Sequence, residues 1–180
     1  MSDVYPVLPV VRFCGVTARY AATRQWAIEQ LTRHWGHPIR RSAALPFPAH
    51  GYYEDEMGGP LHQELVGFES TLPPDGLPEW KLATNELEKA AAAEGLDEIP
   101  RPVNLDCGYV TEAKFVLATT KNRSHRVYLR DGIYAEITLT YVGGRWRFHD
   151  QTYENYRTDE VAEFASALRT HLRNQLGKVS

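Results

Sequence analysis

Three polar residues in the middle of the chain, Lys81, Asn85 and Glu88, have spacing that suits one face of a helix. Residues four and seven positions apart lie on the same side of an α-helix, so these side chains would form a row beside the apolar stripe. A cation, an amide and a carboxylate in a row can bind a phosphate or a metal-bound substrate. The same row also fits a solvated helix surface, because exposed ion pairs are common and contribute little stability.

A second polar cluster combines Asp106 with a turn and strand start that carry Lys121, His125 and Arg126. Cationic groups this close together suit an anionic ligand, and a histidine can transfer a proton near neutral pH. The pattern therefore predicts that Lys121 and Arg126 bind an anion, with His125, Asp106 and Glu136 as candidate catalytic groups. A basic surface turn without a ligand would contain the same residue types.

Arg126 and Glu136 are predicted to face each other across two strands, with His149 one strand further along the sheet. An arginine–carboxylate pair on a sheet stabilises it by up to about 1 kcal/mol, so a purely structural role also fits. Glu136 with His149, Asp150 and Asp106 forms an alternative metal site, but no ligand spacing typical of a metal motif supports it. No metal is therefore assigned, and any cofactor stays unknown.

Familiar catalytic signatures do not occur in this sequence. The glycine pairs 58–59 and 143–144 lack the strand-to-helix context of a phosphate loop, and there is no HExxH, GxSxG or paired CxxC motif. The two cysteines, Cys14 and Cys107, lie far apart and form no disulfide framework, which favours a reducing compartment and a cytoplasmic location. Cys107 is interpreted as a packed small residue, since no histidine neighbour can be assigned to it.

Apolar stripes with helical spacing predict three helices that must position these residues. The first is capped by Thr23 and ends at Gly36, and the second spans about 78–93. The third is capped by Thr158 and ends at Gly177. Each helix has one apolar face, so each is expected to pack on a sheet.

Strand patterns occur along most of the remaining chain. The nearly continuous apolar run over 7–16 predicts a central strand, because strands covered on both faces are hydrophobic throughout. The proline-rich segment 37–48 is predicted to be an edge strand or irregular, and 51–60 is predicted to be a loop. Further strands are predicted over 61–70, 103–106 and 115–119.

The chain from 126 to 149 is predicted to form a three-stranded antiparallel meander, whose register follows from the residues that share a face. A three-residue loop at 130–132 and a two-residue turn at 143–144 keep the apolar residues together. The third helix would close over this apolar face, while the polar face would include Tyr128 and Tyr134. The predicted pairs are Leu129 with Ile133, Val127 with Ala135, Arg126 with Glu136, Tyr141 with Trp146, Leu139 with Phe148 and Thr140 with Arg147.

Length and composition bound the fold and the partners. With 180 residues, of which 43 % are hydrophobic and 24 % charged, the chain is expected to form a single domain over 1–180. Its pattern predicts an α+β fold, a mostly antiparallel sheet packed by about three helices. A net charge of −3 argues against generic DNA binding, whereas RNA stays open because tyrosine stacking and a basic turn would suffice. No apolar segment is long enough to predict a membrane span.

Several segments of the sequence form a recognisable set: NLDCGY at 104–109, LATTKN at 117–122, HRVYL at 125–129 and GIYAEITL at 132–139. Together they resemble the bacterial domain-of-unknown-function family forty-four-sixteen. The segment 51–58 and the trio on the second predicted helix also match, so the similarity covers nearly the whole chain.

The resemblance implies a bacterial cytosolic protein, but the family has no established activity from which catalytic residues could be taken. The sequence departs from the family at Cys107, where the family has proline, and over 151–156, but not at the charged positions. The polar residues that match the family pattern are Lys81, Asn85, Glu88, Asn104, Asp106, Lys121, His125, Arg126 and Glu136.

Two hypotheses about function follow from these patterns. In the first, the protein binds or processes a small anionic ligand, phosphorylated or nucleotide-like, with Lys81, Asn85, Glu88, Lys121 and Arg126 as binding residues. In the second, it is a non-catalytic adaptor that docks a protein or RNA through its polar sheet face and the tyrosines at 52–53. The first requires the helix that carries Lys81 and the turn before Arg126 to face one shared hollow. The second requires a flat, exposed aromatic patch.

Overall fold

The structure is a computed structural model that describes residues 3–48 and 52–177. These residues form an α+β fold, as predicted, in which nine strands build one sheet through antiparallel pairings. The strands are β1 (Val10–Ala18), β2 (Pro38–Arg41), β3 (Leu45–Phe47), β4 (Leu61–Leu72), β5 (Asn104–Val110), β6 (Lys114–Thr119), β7 (Val127–Arg130), β8 (Ile133–Val142) and β9 (Arg145–Phe148).

Four α-helices accompany the sheet in the described ranges, and the three long ones correspond to the predicted helices. The remaining helix, the second in chain order, is short and occupies most of the segment 51–60, which was predicted to be a loop. Residue 51 lies outside the described residues. This short helix forms because acidic residues in its first turn favour a helix N-terminus, while the fully buried Met57 anchors its end. The helices are α1 (Ala21–Trp35), α2 (Tyr52–Met57), α3 (Leu77–Ala93) and α4 (Asp159–Leu176).

The strand order places the predicted central strand in the middle of the sheet. The order is β2-β4-β1-β5-β6-β8-β7, with β3 also paired to β4 and β9 to β8. All nine residues of β1 are buried, although the strand begins later than the predicted 7–16. The segment 37–48 supplies the edge strands β2 and β3, as predicted. Helices α1 and α3 pack on one face of the sheet, and α4 packs on the other.

One of the two predicted helix caps is confirmed. The Thr158 side chain accepts a hydrogen bond from a backbone N–H in the first turn of α4. The cap predicted at Thr23 is wrong, because α1 begins two residues earlier and Thr23 is buried inside it. There its hydroxyl reaches the carbonyl of Leu96 at 3.5 Å, so it contributes to packing between segments instead. Gly36 ends α1 at a φ of 92°, as predicted.

The two predicted hairpins differ in how closely they match the structure. All three pairs predicted around the turn at 143–144 are present. In the other hairpin Val127 pairs with Ala135 as predicted, but Arg130, not Leu129, pairs with Ile133. The connection is therefore the two-residue turn 131–132, with φ values of 56° and 77°. A bulge at Leu129 shifts the register by one residue, which lets the shorter turn retain the pair at Val127.

A second irregularity divides the apolar face predicted for this meander. The register between β6 and β8 shifts between Phe115 and Val116. As a result Leu139 packs on the α4 side of the sheet, whereas Ile133 packs on the α1 and α3 side. The prediction of one continuous face beneath α4 is therefore wrong, and Ile137 is 46 % exposed.

The sheet opens between two of its strands. The ladder between β5 and β6 contains three residue pairs, from Gly108–Leu117 to Val110–Phe115, whereas β1 and β5 share seven. Beyond Gly108, in the part of the chain that the structure describes, β5 continues to Asn104 and β6 to Thr119 without further pairing. The backbone groups of β5 along this opening need other hydrogen-bond partners, because buried N–H and C=O groups are rarely left unpaired.

Candidate functional site

A cavity of about 390 Å³ lies at the opening between β5 and β6. Residues from both strands line it, together with α3, the segment 119–126, β8 and the segment 153–156. Its volume is within the range of small-molecule sites. The lining also contains four cationic and three carboxylate side chains: Lys81, Arg101, Lys121, Arg126, Glu56, Asp106 and Glu136.

Two side chains of α3 satisfy the backbone of β5 where β6 has moved away. The ammonium of Lys81 donates to the carbonyl oxygen of Leu105 at 2.7 Å. The Leu105 N–H donates to Glu88 Oε1, also at 2.7 Å. Because the two residues are seven positions apart, one helix face supplies both a donor and an acceptor to the backbone of the same residue, Leu105. Lys81 and Glu88 thus replace the strand partner, which keeps the sheet open at the cavity.

Lys81 remains charged despite its burial. Its side chain lies at the cavity wall with the residue only 6 % exposed. Burial disfavours the ammonium, but nearby negative groups, Asp106 first among them, outweigh burial and raise the pKa of Lys81 above its usual value. An ammonium has three N–H donors, and the hydrogen bond to Leu105 uses one of them. The cavity therefore contains a permanent buried cation with donor capacity.

Arg101 links the short helix α2, α3 and β5 on this side of the cavity. Its guanidinium donates to Glu88 Oε2 at 3.0 Å and to Glu56 Oε2 at 3.5 Å, and it also donates to Asn104 Oδ1. The Asn104 amide in turn donates to Asp106 Oδ2 at 2.8 Å. Arg101 was not predicted as a site residue, because it lies between two prolines and follows no helix or strand periodicity.

A buried ion pair forms the opposite wall. Arg126 Nε donates to Glu136 Oε2 at 2.8 Å, and the two side chains are 3 % and 4 % exposed. The guanidinium also donates to the carbonyl of Lys121 at 3.0 Å, which ties the turn to the sheet. His125 Nε2 lies 3.3 Å from the same Oε2 atom. The other oxygen, Glu136 Oε1, is buried and has no hydrogen-bond partner among the described residues.

Aromatic side chains complete the cavity on both sides of its mouth. The Tyr53 ring lies 5.6 Å from the Lys121 ammonium and 5.9 Å from the Arg101 guanidinium, distances typical of cation–π contacts. Burial raises the pKa of the Tyr53 hydroxyl above its usual value. Tyr153, which is 51 % exposed, accepts a hydrogen bond from Arg126 at 3.3 Å.

The family model described as domain of unknown function (DUF4416) matches residues 8–172. The chain belongs to this family. The resemblance inferred from the sequence segments is therefore confirmed. The comparisons with curated proteins and with solved structures return no match. Membership of DUF4416 brings no activity with it, so the function must be inferred from the site itself.

The structure places most of the residues predicted for this DUF4416 chain around one cavity. His125 lies behind the wall and contacts it through Glu136. Glu88 lies outside the lining and accepts hydrogen bonds from the Leu105 N–H and from Arg101. Asn85 is half-buried on α3 and is not among the residues that line the cavity. The predicted residues that line the cavity are Lys81, Asp106, Lys121, Arg126 and Glu136.

Other predicted chemistry has less support from the geometry. Across residues 3–48 and 52–177, no three His, Cys, Asp or Glu side chains are grouped closely enough to hold a metal, so the alternative built on Glu136, His149, Asp150 and Asp106 lacks a site. Cys107 is fully buried, and burial raises its pKa to about 11, which disfavours the nucleophilic thiolate. No described helix combines the length and hydrophobicity needed to cross a membrane.

Replacing Glu88 by Gln is expected to change how stability depends on pH. Burial raises the pKa of Glu88 above its usual 4.5, although Lys81 and Arg101 oppose the shift. Between the ordinary pKa of the unfolded chain and the raised pKa of the folded protein, the folded state binds the Glu88 proton more tightly than the unfolded state does. The free energy of unfolding of the wild type therefore decreases as pH rises through this window. The Glu88→Gln variant lacks this contribution, which urea unfolding from about pH 4 to pH 7 would measure.

The matched control is Glu86→Gln, on the exposed side of the same helix, where the carboxylate pairs with Lys89 in solvent. It should retain the wild-type pH slope. An unchanged slope in Glu88→Gln would mean that the buried carboxylate titrates as it does in the unfolded chain, and would contradict the prediction.

Proposed function

We propose that this DUF4416 protein binds a small phosphorylated or nucleotide-like ligand in the cavity between β5 and β6. The observation that carries the proposal is that Lys81, Lys121 and Arg126, from separate segments of the chain, line one cavity. Charged hydrogen bonds formed away from bulk water are stronger than those on an open surface. A phosphate placed among these groups would therefore be held more tightly than on a basic surface turn.

Lys81 is the group best suited to bind the anion. Its charge persists at neutral pH and is buried, and its contact with Leu105 leaves donor capacity at the cavity wall. Arg126 contributes a guanidinium fixed in place by Glu136 and by the carbonyl of Lys121. The lining has four cations and three carboxylates, and Glu88 behind the lining pairs with Arg101, so the preference for an anion depends on where Lys81, Lys121 and Arg126 lie.

The carboxylates of the cavity suit the hydroxyl groups of a sugar. Asp106 uses its Oδ2 atom for the Asn104 amide, and Glu136 Oε1 is a buried acceptor without a partner among the described residues. Such oxygens accept hydrogen bonds from hydroxyl donors, as acidic residues do for ribose in nucleotide sites. A ligand that combines phosphate with sugar hydroxyls would use both kinds of group, which supports a phosphorylated sugar or a nucleotide.

Candidates for proton transfer lie beside the proposed binding groups. Glu136 Oε2 lies 3.3 Å from His125 Nε2 and would orient the imidazole. Asp106 accepts a hydrogen bond from Asn104 at one carboxylate oxygen, and both residues line the cavity. The same residues would bind a ligand without reacting with it. The proposed function is therefore binding, and catalysis by His125, Asp106 or Glu136 would be an additional activity of the same site.

A second candidate function is the docking of a macromolecular partner, a protein or RNA. The observation that favours it is the exposure of apolar residues on one face of the sheet beside β7, where Val127 is 67 % exposed and Ile137 46 %. Exposed apolar surface of this kind is typical of interaction sites. The side chain of Tyr52, which was also predicted to dock a partner, lies outside the described part of the structure.

A ligand panel tested by thermal unfolding separates the two candidates. Nucleoside monophosphates, sugar phosphates, inorganic phosphate and divalent metals would each be added at millimolar concentration. A ligand present at 100 times its Kd stabilises the folded state by about 2.7 kcal/mol, which is several degrees in Tm for a chain of this size. We expect such a shift from at least one phosphorylated compound.

Two exposed lysines provide the variant and its control. Lys121→Gln removes a cation from the cavity mouth without disturbing the core, so it should reduce the ligand-induced rise in Tm. Lys89→Gln removes an exposed cation from the outer side of α3 and should retain the full rise. If no phosphorylated compound raises Tm, the ligand proposal fails and the docking candidate becomes the better one.

A further inference from the structure

Two tyrosines lie next to the cavity on the same face of the sheet. Thr119, which lines the cavity, pairs with Tyr134 on β8, and Tyr134 pairs with Tyr128 on β7. Directly opposed residues share a sheet face, so the three side chains form one row. Glu136 lies two positions from Tyr134 on the same strand and lines the cavity, which places this row on the cavity side. We call Tyr134 and Tyr128 the tyrosine shelf.

The tyrosine shelf is available for stacking. The two rings are 5.4 Å apart in an edge-to-face arrangement, in which each ring has at least one face that the other ring does not cover. Tyr128 is 57 % exposed, and Tyr134 is half-buried. Neighbouring strands are about 5 Å apart, so the shelf begins about 5 Å from Thr119 and extends about 5 Å further. This is within the distance that separates the phosphate and the base of one nucleotide.

We infer that the cavity and the tyrosine shelf together bind a nucleotide, with its sugar phosphate in the cavity and its base on the shelf. The inference rests on the proposed function and narrows the ligand from any phosphorylated compound to one that carries a planar base. A sugar phosphate alone would leave the shelf unused.

Stacking also determines which nucleotides should bind. The shelf offers ring faces, whereas base identity is read by hydrogen bonds to base edges, and every base has a face that can stack. All four nucleoside monophosphates are therefore ligands, and purines bind more tightly than pyrimidines because they stack over a larger area. The expected gain in affinity from stacking is roughly 10- to 100-fold relative to the sugar phosphate.

Isothermal titration of adenosine monophosphate and of ribose 5-phosphate tests this assignment. Wild-type protein should bind adenosine monophosphate at least about tenfold more tightly than ribose 5-phosphate. Tyr128→Ala should remove this difference while leaving the Kd of ribose 5-phosphate unchanged, and Tyr128→Phe should retain it. Val127→Ala is the matched control, because Val127 is an exposed neighbour on the same strand whose side chain points to the opposite face.

The outcomes separate the inference from the function on which it rests. Equal affinity of wild-type protein for the two compounds would overturn the nucleotide assignment and leave the phosphate site in place. So would a Tyr128→Ala variant that retains the wild-type preference for adenosine monophosphate. Failure of both compounds to bind wild-type protein would overturn the proposed function together with the inference.

Discussion

Glu136→Gln is expected to lower the free energy of unfolding by about 3 kcal/mol. The substitution retains the shape of the side chain but removes the charge that balances Arg126, whose side chain is 3 % exposed. A buried cation without its counter-ion is costly, although the contacts of Arg126 with the Lys121 carbonyl and the Tyr153 hydroxyl place the loss at the low end of the usual range. Urea unfolding at pH 7 measures the change directly.

Two further variants test whether the loss of stability comes from leaving a buried charge unpaired or from breaking any ion pair. Glu79→Gln breaks the ion pair between Glu79, whose side chain is 55 % exposed, and Arg130, whose side chain is 47 % exposed. Because this pair lies in solvent, its loss should leave Tm almost unchanged. The double variant Arg126→Met/Glu136→Leu removes both charges, so it should regain most of the stability that Glu136→Gln loses. A Glu136→Gln variant as stable as Glu79→Gln would show that Arg126 does not depend on this carboxylate.

The cavity combines several groups that cost stability. Lys81 is a buried ammonium, and Glu136 Oε1 is a buried acceptor with no partner in the described chain. Apolar side chains at these positions would fill the sheet opening and avoid the desolvation of charges. The proposed ligand would account for the arrangement, because a phosphate and a hydroxyl donor would provide partners for Lys81 and for Glu136 Oε1. Such imbalances concentrate at functional sites.

Elements governed by local residue patterns were predicted well. The helix capped by Thr158 follows from a cap residue and an apolar stripe within a few turns, and the structure has both. The pairing around residues 143–144 follows from a glycine turn that joins two alternating segments. The ligand hypothesis required Lys81 and the basic turn to face one hollow, and both line the cavity, although no residue pattern determined how the helix and the turn would meet.

The opening of the sheet could not be predicted in the same way. It depends on where β5 and β6 stop pairing, which no residue pattern in either strand indicates, and on Lys81 and Glu88 replacing the missing backbone partner at Leu105. Arg101 contributes only because α2, α3 and β5 meet there. The bulge at Leu129 was missed for a related reason, since a shift of one residue is decided by the turn and by neighbouring strands together.

The dual role of Lys81 makes its replacement the most informative change in the cavity. The ammonium replaces a strand partner for Leu105, and it offsets the charges of Glu88 and Asp106. Removing it leaves the Leu105 carbonyl without its partner, and Glu88 and Asp106 then have Arg101 as their nearby cation. A structural role predicts a loss of stability, whereas the proposed function predicts a loss of ligand binding in addition.

Lys81→Met should lower the free energy of unfolding by about 3–5 kcal/mol and weaken the binding of adenosine monophosphate by roughly 100-fold or more. Unfolding in urea measures the first effect, and titration at a temperature where the variant is folded measures the second. Lys89→Met, an exposed position on the same helix, should change neither quantity. A folded Lys81→Met variant with wild-type affinity would contradict the role of Lys81 in binding. Loss of affinity in Lys121→Gln would then place the anion at the cavity mouth.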